Sequence, residues 1–161
     1  MPRAKLKTKK LAQRIDLDYF KRINDTYGHL AGDEALRQFS TAVRESMRLY
    51  DHAGRYGGEE FLFLLADIPA GAIEQRLATL HRAISNLTVH TPLTEFGMTC
   101  SIGATVFDPF GAPAGADSLL ATADMALYDA KRAGRNRVIL RKTGEQLDSS
   151  ESQIAQSLKR R

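Results

Sequence analysis

Arg55-Tyr56-Gly57-Gly58-Glu59-Glu60-Phe61 lies between two short apolar runs, and its reading decides the fold. A glycine pair followed by adjacent carboxylates predicts a tight hairpin turn with acids at its tip, flanked by strands over His52–Tyr56 and Phe61–Ala66. Upstream, Asp16-Leu17-Asp18-Tyr19-Phe20-Lys21 ends an earlier strand-like run. Two sources of carboxylate can therefore converge on one divalent cation, the layout of metal-assisted phosphoryl or nucleotidyl transfer.

Working outward, Leu11–Leu17 predicts a short strand interrupted by Gln13 and Arg14, and Tyr19–Tyr27 a short helix stopped at Gly28. Leu36, Phe39, Val43, Met47 and Tyr50 follow helical spacing, with Asp33 where an N-cap belongs. After the hairpin, Pro69 opens a helix whose buried stripe is Ile73, Leu77, Leu80 and Ile84. Met98–Phe107 reads as a strand, and Asp108–Gly115, with two prolines and two glycines, as a loop. A helix follows from Asp117, marked by Leu119, Leu120, Ala123, Leu127 and Ala130 and ended at Gly134, and Arg137–Leu140 forms the closing strand. The order β-α-α-β-β-α-β-α-β gives an α+β fold, a mixed central sheet flanked by helices.

A chain of 161 residues, 43% hydrophobic and 26% charged, suits one soluble domain with a sizeable core. No apolar run is long enough for a membrane span or a signal peptide. The single cysteine, Cys100, excludes an internal disulfide and makes cytoplasmic residence the expectation. The net charge of +4 suits an anionic ligand without identifying one. Arg3, Lys5, Lys7, Lys9, Lys10 and Arg14 crowd the N-terminus with no acid or aromatic residue among them. A solvated basic arm over residues 1–10 is preferred there to a contact with nucleic acid or anionic lipid. The domain proper then spans 11–142 and a polar tail 143–161. His29, His52, His81 and His90 lack metal-ligand spacing, and Cys100 reads as a small buried apolar residue.

Three ordered segments carry a resemblance to a known family. Asp16-Leu17-Asp18-Tyr19-Phe20-Lys21-Arg22-Ile23-Asn24-Asp25-Thr26-Tyr27-Gly28-His29 with Gly32-Asp33 resembles the first signature of the GGDEF family of diguanylate cyclases. Arg55–Phe61 is similar to its name-giving motif in the Glu form, and Ala123–Asn136 to its C-terminal signature. The resemblance implies a fold like that of nucleotidyl cyclases and polymerase palms. It implies condensation of two GTP into cyclic di-GMP with release of two pyrophosphates, in a homodimer whose two sites face each other. Asp16, Glu59 and the Leu17 carbonyl would hold Mg²⁺ (or Mn²⁺), with Glu60 either a second ligand or an aid to proton removal. Gly57 and Gly58 would let the backbone approach the nucleotide. Asn24 and Asp33 would read guanine; the branch accepting adenine nucleotides has serine where Asp33 stands. Lys131 and Arg135 would contact the triphosphate, while Phe20 and Lys21 cradle the terminal phosphates at the opening of the helix.

Arg48-Leu49-Tyr50-Asp51 matches the family's Arg-x-x-Asp inhibitory motif, ahead of Gly57 at the usual offset, which implies product inhibition through Arg48 and Asp51. The family's domain begins with an Asp-x-Leu-Thr-Gly-Leu-x-Asn-Arg segment and a helix, neither found here, so a less stable domain with intact site residues is expected. The alternative is a non-catalytic signalling module that binds cyclic di-GMP. Intact Asp16, Glu59, Glu60, Lys131 and Arg135 weigh against it, because members that only bind have degraded catalytic motifs.

Overall fold

The computed structural model describes residues 8–109 and 115–143. Its elements are β1 (Thr8–Leu17), α1 (Phe20–Tyr27), α2 (His29–Ser46), β2 (His52–Gly57), β3 (Glu60–Pro69), a single 3₁₀ turn (Ala70–Ala72), α3 (Ile73–Ser85), β4 (Thr88–His90), β5 (Glu95–Gly97), β6 (Cys100–Phe107), α4 (Ala116–Arg132) and β7 (Val138–Lys142). Five strands form one mixed sheet in the order β2-β3-β1-β6-β7. β7 runs parallel to β6 and the other neighbours pair antiparallel. The expected α+β architecture is what the chain adopts.

β1 is the central strand, and its two faces do different work. Leu11, Ile15 and Leu17 point into a core shared with Leu36, Phe39 and Val43 of α2 and Leu77, Leu80 and Ile84 of α3. Gln13 shares that face by the same alternation, wholly buried, with no partner for either end of its amide among the described residues. On the opposite face Arg14 and Asp16 meet Asp124 and Lys131 of α4. α4 lies close on the sheet because Gly103 of β6 has no side chain: a Cβ there would stand 2.1 Å from the Leu127 amide nitrogen. This close seating brings residues of α4 over the adjacent β1.

Several boundaries differ from the sequence reading for identifiable reasons. β1 starts at Thr8, so Lys9 and Lys10 belong to the sheet and Lys9 pairs with Asp108 at 2.7 Å. Arg14, counted with the basic run, is a buried residue of the central strand. Asp33 is not an N-cap. α2 begins at His29, directly after Gly28, which turns the chain at φ 88°, so Asp33 sits inside the helix and exposed. The same helix ends at Ser46 and leaves Tyr50 exposed, because Met47 is already extended. Pro69 closes β3, and α3 begins only at Ile73. The small hairpin β4–β5 has no counterpart in the sequence reading; Thr91 Oγ1 holds its turn by donating to the Thr94 carbonyl and accepting from the Thr94 amide. Arg141 and Lys142 extend β7 beyond Leu140. Residues 1–7, 110–114 and 144–161, which include most of the basic arm and of the polar tail, lie outside the described residues.

Candidate active site

The hairpin forms as its glycines require. Gly57 pairs with Glu60, leaving Gly58 and Glu59 as the turn, and Gly58 takes φ +52° in the left-handed region open to glycine. Gly57 shows no positive φ. Asp16 and Glu60 are register partners across β1 and β3, and the Leu17 amide donates to the Glu59 carbonyl at 3.2 Å. The turn tip is thereby fastened to the end of β1.

Asp16 is 6% exposed, and its carboxylate lies 2.7 Å from the Lys131 ammonium. Burial pushes its carboxyl above the ordinary value; Lys131 opposes the shift, and the negative charges of Glu59 and Glu60 add to it. The charges of Glu59 and Glu60 thus bear on Asp16, and the cation from α4 opposes them. Among the described residues no three His, Cys, Asp or Glu side chains converge to cage a metal by themselves. A pair of carboxylates beside a backbone carbonyl suits a Mg²⁺-like ion that keeps water and phosphate oxygens in its remaining positions.

Asp18, which the sequence reading left without a role, holds the other half of the site together. It is 4% exposed, and its carboxylate accepts from Thr99 Oγ1 and Ser101 Oγ, each at 2.7 Å, and from the Asn136 amide at 3.0 Å. The loop after α4 is thus tied to β1 and β6, with Arg135 and Asn136 both at positive φ (64° and 47°). Arg135 lies 4.7 Å over the ring of Tyr19, the left-handed residue that opens α1. Arg135 therefore stands beside Phe20 and Lys21, whose amides begin the helix without intrahelical acceptors. The Lys21 side chain is 88% exposed and reaches Asp25 at 3.1 Å. Lys131 and Arg135 do not share a partner: one sits on Asp16 and the other on Tyr19.

Asn24 of α1 is lodged against Gly32 of α2, where a Cβ would stand 1.9 Å from Asn24 Oδ1. Gly32 thus permits the close crossing of α1 over α2 that seats Asn24 there. Beyond it, a groove of about 550 Å³ runs between α2 and the β2–β3 hairpin, lined by Phe39, Val43, Arg44, Arg48, Arg55 and Phe61 among others. Arg48 is exposed at its edge. Asp51 borders the groove but is turned inward, its side chain 2% exposed. Its oxygens accept from the Ala66 amide at 3.1 Å, the Arg48 amide at 2.9 Å and the Arg76 guanidinium at 2.9 Å.

Arg14 was visible in the sequence as a charge interrupting a strand and as the last of the basic run. It is 7% exposed, with Nη2 3.2 Å from Glu60 Oε2 and Nε 2.8 Å from Asp124 Oδ1, the latter a close ion contact without hydrogen-bond alignment. Its Cζ lies 3.8 Å from the centre of the Tyr56 ring. Burial raises the carboxyl pKa of Asp124; Arg14 opposes the shift and Glu60 reinforces it.

A family model described as "Diguanylate cyclase, GGDEF domain" matches residues 4–137. Diguanylate cyclase DgcP of Pseudomonas aeruginosa is 44% identical over 124 residues, covering 77% of this chain and 18% of that protein. Diguanylate cyclase A of Treponema denticola is 38% identical over 128 residues, covering 80% of this chain and 34% of that protein. The chain thus spans well under half the length of these curated relatives. Among solved structures, the GGDEF domain of DgcB from Caulobacter crescentus in complex with c-di-GMP superposes with a TM-score of 0.72 at 31% identity, covering 83% of this chain and 78% of that one.

Proposed function

The chain belongs to the GGDEF-domain family of diguanylate cyclases, and from that premise we propose that it condenses two GTP molecules into cyclic di-GMP with release of two pyrophosphates. The observation that carries this reading is the register that sets Asp16 opposite Glu60, with Glu59 in the adjoining turn and Lys131 2.7 Å from Asp16. A binding module has no need of a buried carboxylate on a lysine beside two further acids. A site that assembles a divalent cation with a triphosphate does.

Asp16, Glu59 and the Leu17 carbonyl are the groups that would hold Mg²⁺ or Mn²⁺, which when bound activates a hydroxyl and neutralises charge growing on phosphate. Phe20 and Lys21 offer backbone amides to the terminal phosphates, and Arg135, propped on Tyr19, adds a fixed cation beside them. Lys131, which stands on Asp16, would turn to the phosphate oxygens of a bound nucleotide. Asn24 and Asp33 read the guanine edge, Asp33 accepting from the ring N–H and exocyclic amine that adenine does not offer together. The 3′-hydroxyl of one nucleotide attacks the α-phosphorus of the other, in line with departing pyrophosphate. Each domain holds one nucleotide, so two copies must face each other, and the protein's contribution is mainly orientation.

Arg48 grips the product in the groove beside α2, and its inhibition acts through that guanidinium. Asp51 serves the same site by fixing the turn on which Arg48 stands, through the Arg48 amide and Arg76. The DgcB domain solved with c-di-GMP supports that molecule as the ligand.

The test is incubation with GTP and Mg²⁺, with product identified by chromatography and mass. The parent protein yields cyclic di-GMP, and Glu59→Ala, still folded, yields none. Arg48→Ala continues synthesis while added product no longer slows it. Turnover by Glu59→Ala would overturn the metal assignment, and undiminished inhibition of Arg48→Ala the groove assignment.

A further inference from the structure

We propose that Arg14 is a positioning residue for this chemistry: from within the sheet it fixes the carboxylate of Glu60, using Asp124 and Tyr56 as its own supports. The inference rests on the cyclase reading above but concerns a residue outside the three signature segments.

Four elements meet at this guanidinium. Arg14 stands on β1, Glu60 on β3, Asp124 on α4 and Tyr56 on β2. In the antiparallel register Arg14 faces Leu62 while Asp16 faces Glu60, so Arg14 and Glu60 are diagonal neighbours on one face of the sheet. The 3.2 Å contact from Nη2 is the only polar partner of the Glu60 side chain among the described residues. Glu60 is 38% exposed and would otherwise be free to swing into solvent. Arg14 itself has little freedom. It is 7% exposed, contacts Asp124 through Nε at 2.8 Å and lies under the Tyr56 ring at 3.8 Å. The rigidity of the guanidinium passes to Glu60.

A charge in the middle of a central strand is costly to bury, and an apolar residue would pack the same place without that cost. The neighbouring acids compensate it: two carboxylates share one cation that cannot lose its proton. Gly103, directly opposite Arg14 on β6, clears the room α4 needs to bring Asp124 down to it. Arg14 lies one step along the strand face from Asp16 and has no described contact with Asp16, Lys131 or the α1 and α2 residues assigned to the nucleotide. Arg14 thus acts through the aim of Glu60, and where that carboxylate aids removal of the hydroxyl proton, GTP binding is spared.

The experiment measures kcat and KM for GTP in Arg14→Met, Arg14→Lys, Asp124→Asn, Glu60→Gln and the double variant Arg14→Met/Glu60→Gln, each shown folded by circular dichroism. Arg14→Met lowers kcat by about tenfold to a hundredfold, the scale of a misaimed group, with KM within about twofold. Arg14→Lys recovers part of the loss, Asp124→Asn shows a smaller one, and the double variant is no worse than Glu60→Gln alone. If Arg14→Met does not fold, Arg14→Lys and Asp124→Asn carry the same comparison against Glu60→Gln. A kcat within about twofold of the parent, or losses that multiply in the double variant, overturns the proposal. Crystal structures read the same point without turnover: the Glu60 carboxylate is displaced or split in Arg14→Met, and an unmoved carboxylate overturns the proposal. A parent protein that binds GTP yet makes no product instead overturns the cyclase reading, and the crystallographic comparison alone then decides the role of Arg14.

Discussion

Asp16 shows how a residue that is poor for the fold is held in place by its neighbours. Its carboxyl is buried beside two other acids, which raises its pKa, and the Lys131 ammonium is held against it in compensation. Asn24 depends on a neighbour in another way, because its place exists only while Gly32 lacks a side chain. Gly32→Ala should expel the Asn24 amide and weaken GTP binding by about threefold to tenfold, the worth of one neutral hydrogen bond, with folding retained. Calorimetric titration with GTP checks this, and unchanged affinity would remove Asn24 from the guanine site. Asp16, Lys131, Asn24 and Asp33 were singled out from the signatures, and the fold sets Asp16 on Lys131 and Asn24 against Gly32. Asp18 and Asp124 lie in the same signatures, and Arg14 interrupts a strand, but none was given a role, since their partners stand across the sheet or on α4 and only pairing register and helix placement reveal them.

At the scale of elements, the signals that carried were periodic ones. The stripes of α2, α3 and α4 and the glycine turn of β2–β3 gave those elements their places. The signals that misled were local ones. Asp33 is a good capping residue, yet α2 had already started at His29 because Gly28 supplies the turn. β4 and β5, three residues each, are too short to show alternation. Gln13 is a local defect within a good element, a wholly buried amide in an apolar layer without a partner among the described residues. Gln13→Met, nearly equal in size, should stabilise the protein by about 1–3 kcal/mol, the penalty of a buried unsatisfied polar group. Urea unfolding measures the difference, and a loss of stability would mean that the amide is satisfied in solution.

The contact of α2 with β4 has its own pH dependence. Glu34 accepts from Arg37 and Gln38, whose amide also bonds to the His90 carbonyl. The hydrogen bond from Arg37, then that from Gln38, lowers the Glu34 pKa from the ordinary 4.5 to about 2. A depressed acid stabilises the fold above its unfolded pKa and loses that contribution as pH falls through its folded value. The stability advantage of the parent over Glu34→Gln should therefore be full at neutral pH and shrink between pH 4.5 and about 2. Denaturation midpoints across that range would show it, and a constant difference would contradict it.

On the scale of the whole molecule, the sheet order β2-β3-β1-β6-β7 makes the site possible by putting β1 at the centre, with the acids of the β2–β3 hairpin on one side and the α4 loop on the other. The fold class was readable from the order of elements, and the family from its three signatures. The crossing order and the seating of α4 on Gly103 were not, because they depend on contacts between residues far apart in the chain. No described helix is long and apolar enough to cross a membrane. Each domain holds one nucleotide in this reading, so the reaction needs two copies. The most direct measurement is the initial rate of cyclic di-GMP formation from GTP and Mg²⁺ across a wide range of protein concentration. The account predicts a rate that rises with the square of protein concentration while dimers are scarce. A rate strictly proportional to protein down to the lowest concentration, or no product from folded protein held in pairs by a fused coiled coil, would contradict it.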